Sequence, residues 1–158
     1  MVPAEAGVVR ELVNTKYAAY EGFARLDDDL WRWHRGQRPT SMPAQVVVAE
    51  RAGRIVGTAA LAAVSVLLEG RQARVTVVSD AVYDGPGCLR DLLAAAPAER
   101  LMALHDVRAP EHTALEQIGL TSAVGEVAMV LPFTERAQAL LSRPPAPWCV
   151  MVESVVGV

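Results

Sequence analysis

The stretch from residue 45 to residue 93 constrains the fold more than any other part of the chain. Three apolar, β-rich runs occupy residues 45–50, 55–68 and 73–82. Only Arg51-Ala52-Gly53-Arg54 and Glu69-Gly70-Arg71-Gln72 separate them. Connections this short, each carrying a glycine, turn a strand back onto its neighbour, so the three runs predict an antiparallel meander. The third run then meets Tyr83-Asp84-Gly85-Pro86-Gly87, and beyond it the apolar spacing of residues 88–96 becomes that of a helix.

The flanking segments complete the order. Apolar groups at Val9, Leu12, Val13, Tyr17 and Tyr20 predict an amphipathic helix over residues 3–23, ended at Gly22. A short helix over 27–35 follows, with Asp27, Asp28 and Asp29 in its first turn, where negative charge suits the helix dipole. Residues 36–44, with Gly36, Pro39 and Pro43, read as a loop. After the meander come a strand at 101–105, a helix at 111–118 closed by Gly119, a strand at 124–131, a helix at 134–141 and a strand at 147–156. The expectation is a mixed-sheet α/β domain: two helices, the meander, then alternating helices and strands. It is not doubly wound from its start. With no internal repeat and no dividing linker, residues 1–158 read as one domain.

Composition removes several function classes. A hydrophobic share of 52% against 21% charged residues is that of a globular chain and excludes disorder throughout. A formal charge of -3 leaves no basic footprint for nucleic acid, and Arg32, Arg35 and Arg38 are too few to make one. Cys88 and Cys149 have no metal or redox spacing and read as free thiols of a reduced compartment. The first residues lack the charge and apolar pattern of a secretory signal. The apolar run from Trp148 to Val158 falls well short of the roughly 20 residues of a membrane helix. A cytoplasmic protein without membrane or nucleic-acid partners is expected.

Four stretches, together spanning most of residues 26–133, give the chain a resemblance to the GNAT (acyl-CoA N-acyltransferase) family. Leu30-Trp31-Arg32-Trp33, followed by Pro39, resembles the tryptophan-rich second helix of some actinobacterial members. The run from Val48 to Gly57, through Arg51-Ala52-Gly53-Arg54, resembles the family's second and third strands. Tyr83-Asp84-Gly85-Pro86-Gly87-Cys88-Leu89 falls on the acyl-CoA loop, and Glu116-Gln117-Ile118-Gly119-Leu120 on the turn after the fourth helix. The resemblance implies a GNAT-like sheet whose central strands splay into a cleft between 76–80 and 101–105. It also implies acetyl-CoA or another acyl-CoA as cofactor, with its pyrophosphate on the backbone N–H groups of Gly85, Gly87 and Cys88.

The family pattern is altered at several of these positions. Asp84 places a carboxylate where a donor normally faces phosphate, Pro86 removes an N–H, and Leu89 adds bulk to a close approach. Leu115 stands where many members have a proton-donating tyrosine, and Arg108 where an asparagine is frequent. The strand with which the family normally begins has no counterpart ahead of the first helix. A homodimer sharing sheet edges is one way to supply it.

Four residues are catalytic candidates. His105 ends an apolar strand beside Asp106 and has the acid/base range for work near neutrality; a strand-end histidine bonded to a loop is the plainer alternative. Asp80 interrupts an apolar strand and is either a base for an ammonium nucleophile or a loop cap. Glu50 reads as a water-linked base or an exposed strand end. Tyr83 precedes the loop as a catalytic or structural aromatic. Trp31, Trp33, His34 and Tyr20 are candidates to line a substrate pocket, against ordinary helix packing. Glu111 and His112 point to different faces of their helix and are not read as a dyad or metal site, and no cluster has metal-ligand spacing.

Three functions stay open at this stage. The first is acyl-CoA-dependent acylation of a small amine. The second is a GNAT-fold cyclase, lyase or isomerase of specialised metabolism that has given up CoA. The third is a non-catalytic binding module.

Overall fold

The computed structural model describes residues 3–20, 23–36, 44–68, 70–97, 100–103, 105, 108–122 and 135. The elements are α1 (Pro3–Tyr17), α2 (Asp28–Gly36), β1 (Ala44–Arg51), β2 (Arg54–Leu68), β3 (Arg71–Val82), α3 (Gly85–Leu93), β4 (Leu101–Ala103) and α4 (Pro110–Gln117). They form the expected mixed α/β arrangement, with a four-stranded sheet in the order β1-β2-β3-β4. The expected strands at 124–131 and 147–156, the helix at 134–141, Gly22, Asp106 and Cys149 lie outside the described residues, as do the side chains of Trp33 and His34.

The meander forms as its turns dictate. Arg51 pairs with Arg54 across a two-residue turn in which Ala52 and Gly53 both have positive φ (50° and 72°), the twist that suits a tight hairpin. Leu68 pairs with Arg71 across the second turn. β4 joins β3 in parallel, with Thr76, Val77 and Val78 opposite Leu101, Met102 and Ala103.

Helices cover both faces of the sheet, so residues 57–62 of β2 are buried without alternation. On one face Ala59, Leu61 and Val78 pack against Cys88, Leu89, Leu92 and Leu93 of α3 and against Ala114 and Leu115 of α4. On the other, Val9 and Val13 of α1, with Leu26 and Trp31, meet Val82 and the partly buried Val46, Val48 and Ile55.

A β-bulge decides which face each end of β3 serves. The register passes from Ala60↔Ser79 to Thr58↔Val82, so β3 carries one residue more than β2 over this interval. Asp80 absorbs it with φ +50°, a left-handed backbone that an L-residue adopts only at some cost. Strict alternation would put Val78 and Val82 on one face. The bulge sends Val78 toward α3 and Val82 toward α1.

Helix α1 stops at Tyr17, short of the expected 23, because the chain is pulled back along it. The Asn14 side chain donates to the Leu26 carbonyl (2.9 Å) and accepts from the Leu26 N–H (2.8 Å), a buried two-way clasp. Tyr20 N–H closes the turn onto Tyr17 O. Asp27 then caps α2, its Oδ1 accepting from the N–H groups of Asp29 and Leu30.

Helix α3 sits close on β2 because Gly57 has no side chain. A Cβ there would lie 2.6 Å from Cys88 Sγ and 2.9 Å from the Val82 carbonyl oxygen. Cys88, a free thiol 1% exposed, is thus packing material facing Val56 and Gly57. Only its backbone is placed to meet a ligand at the loop.

Candidate functional site

Among the described residues the pairing of β3 with β4 runs as far as Val78↔Ala103, and a cleft opens at this end of the two strands. The opening is a cleft of about 550 Å³ counted out to its mouth, lined on its two strand walls by Ser79, Asp80, Ala81, Ala103 and His105. α1 and the turn after it contribute Tyr17 and Tyr20, α4 contributes Glu111 and Leu115, and Tyr83 and Leu89 close the remaining side.

The candidates separate by position. His105, Asp80, Tyr83 and Tyr20 converge on this one cleft. Glu50 is exposed near the end of β1, opposite Ile55, and does not line it. Trp31 is 7% exposed in the core between α1 and the sheet, so it is a packing residue there rather than a pocket wall.

Glu111 is the principal cleft residue that the sequence pattern did not single out. It is 7% exposed, accepts a hydrogen bond from Tyr20 Oη (2.7 Å) at Oε2, and has Lys16 Nζ 2.8 Å from Oε1, off the direction of a regular hydrogen bond. A buried carboxylate is tolerable only with such partners. Lys16, the only lysine in the chain, also lies 5.8 Å from the Tyr83 ring centre and 6.0 Å from that of Tyr20. That singularity among arginines was the available sequence signal.

Tyr83 has its hydroxyl buried with no hydrogen-bond partner among the described residues. Burial, and then the negative charge of Glu111, raise its pKa from 10.0 to about 12, so the phenol keeps its proton at neutral pH. Tyr17 stacks edge-on against Tyr20, with centroids 5.0 Å apart, and its hydroxyl donates to the Ala81 carbonyl (3.2 Å), tying α1 to the bulge. His105 Nε2 lies 3.2 Å from Nδ1 of His112, a contact from a neighbouring residue that the helical pattern of α4 alone does not reveal.

The loop at the start of α3 carries a mixed set of groups for a pyrophosphate. Gly85 has φ +82°, and a Cβ on Gly85 or Gly87 would meet nothing within 4 Å, so the backbone is open on its outer side. Pro86 withholds one N–H from the first turn. Asp84 is exposed, and the Arg51 guanidinium 3.8 Å away from across the hairpin offsets its charge. Leu89 is 1% exposed and points into the core and cleft wall rather than over the loop. The set fits a pyrophosphate held by few N–H groups and by no side-chain donor of the loop itself. Among the described residues no group of histidine, cysteine and acidic side chains could hold a metal ion, and no helix is long and apolar enough to cross a membrane.

No protein-family model matches the chain, and no curated protein matches its sequence. Solved structures do resemble it. A protein from Agrobacterium tumefaciens str. C58 classed as an acetyltransferase superposes with a TM-score of 0.59 at 15% identity, over 83% of this chain and 96% of its own. A protein from Clostridium acetobutylicum, classed likewise and solved with acetyl-CoA, gives 0.57 at 12% identity, over 82% and 92%. A third chain classed as an acetyltransferase gives 0.54 at 13%, over 85% and 96%. At these identities the likeness is one of fold, and together with the four-stranded mixed sheet it gives the chain a GNAT-like fold.

Proposed function

We propose that the protein is an acyltransferase that moves an acyl group from acyl-CoA to a small amine bound in the cleft. The observation that carries this reading is the convergence of His105, Asp80 and Tyr83 on one cleft at the end of β3 and β4. The backbone of Gly85 and Gly87 would hold the pyrophosphate, with Arg51 beside it. When bound, acyl-CoA supplies an acyl carbon already activated as a thioester.

The chain's own residues would do the rest. Asp80, held on the bulge, draws an ammonium into the cleft. His105 takes the proton that the amine nitrogen must lose before it attacks. Tyr83, protonated across the neutral range, donates to a departing group from inside the cleft. Leu115 lines the same cleft from α4 and has no proton to give, which leaves that role to the Tyr83 phenol. The tyrosines and the apolar walls favour an amine with an aromatic or hydrophobic body.

A second reading is favoured by Asp84 and Pro86 at the loop and by Leu89 in the cleft wall. In it the cleft works without CoA, as a cyclase, lyase or isomerase on a hydrophobic intermediate with His105 and Asp80 as acid and base. Calorimetric titration with acetyl-CoA and with CoA separates the two. Micromolar binding supports the acyltransferase, and free-thiol release with a panel of amines then identifies the acceptor. Absence of binding up to roughly 1 mM, weaker than about 4 kcal/mol, overturns it in favour of the second reading.

A further inference from the structure

Helices α1 and α4 belong to opposite faces of the sheet: Val9 and Val13 seat α1 on one, and Ala114 and Leu115 seat α4 on the other. They are nevertheless joined at the cleft, through one side chain. Glu111 stands in the first turn of α4, where the helix dipole favours its charge. It accepts the Tyr20 hydroxyl at Oε2 (2.7 Å) and has Lys16 Nζ 2.8 Å from Oε1. A buried ion pair is often no more stabilising than packed apolar groups of the same size, so stability alone does not account for this one. The arrangement also holds Tyr20.

Tyr20 lines the cleft and stays partly exposed there. Its ring stands edge-on to that of Tyr17, with centroids 5.0 Å apart and planes at 73°. The Tyr17 hydroxyl is bonded to the Ala81 carbonyl and the Tyr20 hydroxyl to Glu111, so both offer a ligand their rings. All three tyrosines of the chain line this cleft, a concentration of ring surface that favours an offset or edge-on aromatic guest. A second cation against these rings is disfavoured. The Lys16 ammonium already lies 6.0 Å from the Tyr20 ring centre and 5.8 Å from that of Tyr83, and like charges repel.

We propose that Glu111 is a positioning residue that holds Tyr20 in the cleft wall, and that the Tyr20 ring is the surface recognising the aromatic body of the acceptor amine. The proposal rests on the reading that an amine occupies this cleft. The ammonium end of the guest goes to Asp80, and its flat end goes to Tyr20. Glu111 acts through its hydrogen bond to Tyr20, with its own charge balanced by Lys16.

Phenethylamine serves as the probe, and tyrosine labelled at the ring carbon that bears the hydroxyl gives three signals in the full-length protein, assigned by single substitutions. In wild type the Tyr20 signal should move saturably with phenethylamine, measured with and without CoA, and calorimetry gives the affinity. Glu111→Gln keeps an acceptor for the Tyr20 hydroxyl while dropping the charge, so the Tyr20 signal and the affinity should stay close to wild type. Glu111→Ala and Tyr20→Phe cut the same bond from either side. Each should weaken phenethylamine binding roughly fivefold, the loss of one hydrogen bond. The double variant should be no weaker than either single. Backbone amide spectra report whether each variant keeps the fold, and if Glu111→Ala does not, Tyr20→Phe and Glu111→Gln carry the test. A wild-type Tyr20 signal unmoved by phenethylamine, Glu111→Gln binding as weakly as Tyr20→Phe, or additive losses in the double variant would each overturn the proposal. Failure to bind acetyl-CoA while the Tyr20 signal still follows the amine sinks the acyltransferase reading alone. Acetyl-CoA binding with a Tyr20 signal indifferent to the amine sinks this inference alone.

Discussion

Gly57→Ala tests the close approach of α3 to the sheet, on which the position of the loop depends. The new methyl would sit 2.6 Å from Cys88 Sγ, 2.9 Å from the Val82 carbonyl oxygen and 3.2 Å from Leu92 Cδ1. Comfortable separation between such atoms is about 3.5 Å or more, so α3 must retreat by about 1 Å or its side chains must leave their rotamers. The thiol cannot swing away, because Cys88 is 1% exposed, and the carbonyl is backbone. Overpacking of this kind costs about 2 kcal/mol. For a chain of this length that corresponds to a fall in Tm of roughly 4–8 °C. Cys88→Ala alone loses one buried methyl-sized group, about 1 kcal/mol, yet it removes the nearest obstacle. The double variant should therefore be at least about 1 kcal/mol more stable than the sum of the two singles predicts. Thermal and urea unfolding of the four proteins measure the cycle. A Gly57→Ala protein as stable as wild type, or a strictly additive double variant, would show that α3 does not seat on Gly57 as described.

The other expectations concern the cleft and its loop. Asp80→Val should lose about 1–2 kcal/mol by urea unfolding, because a β-branched residue suffers at φ +50°, whereas Asp80→Gly should not show that loss. Ultraviolet titration of the three tyrosines should find one phenol ionising near pH 12, and Glu111→Gln should lower that value by removing the neighbouring charge while burial remains. Because this folded-state pKa lies above the unfolded value near 10, its stabilising contribution is complete below pH 10 and is lost as the pH rises toward 12. Asp84→Arg should tighten acetyl-CoA binding in calorimetry by roughly fivefold, about 1 kcal/mol, by removing a carboxylate from beside the phosphates. An unchanged affinity would place the pyrophosphate elsewhere.

Local chemistry made much of this protein legible from its sequence. Two glycine-bearing turns between apolar runs can be satisfied only by a meander, and the pairs Arg51↔Arg54 and Leu68↔Arg71 fall where those turns put them. The loop 83–87 opens α3 because glycine and proline suit the first turn of a helix. His105, Asp80, Tyr83 and Tyr20 drew notice as polar or titratable groups in or beside apolar runs, and all four line one cleft. Tertiary packing decided what a local pattern could not encode. The clasp between Asn14 and Leu26 ended α1 early although its apolar period continued to Tyr20. The single extra residue at the bulge chose which helix layer Val82 serves. Tertiary folding also set Lys16 against Glu111, 95 positions later, and His112 of α4 against His105. These pairings depend on where two separately formed elements come to rest, and helical or strand periodicity records only how each element faces its own neighbours.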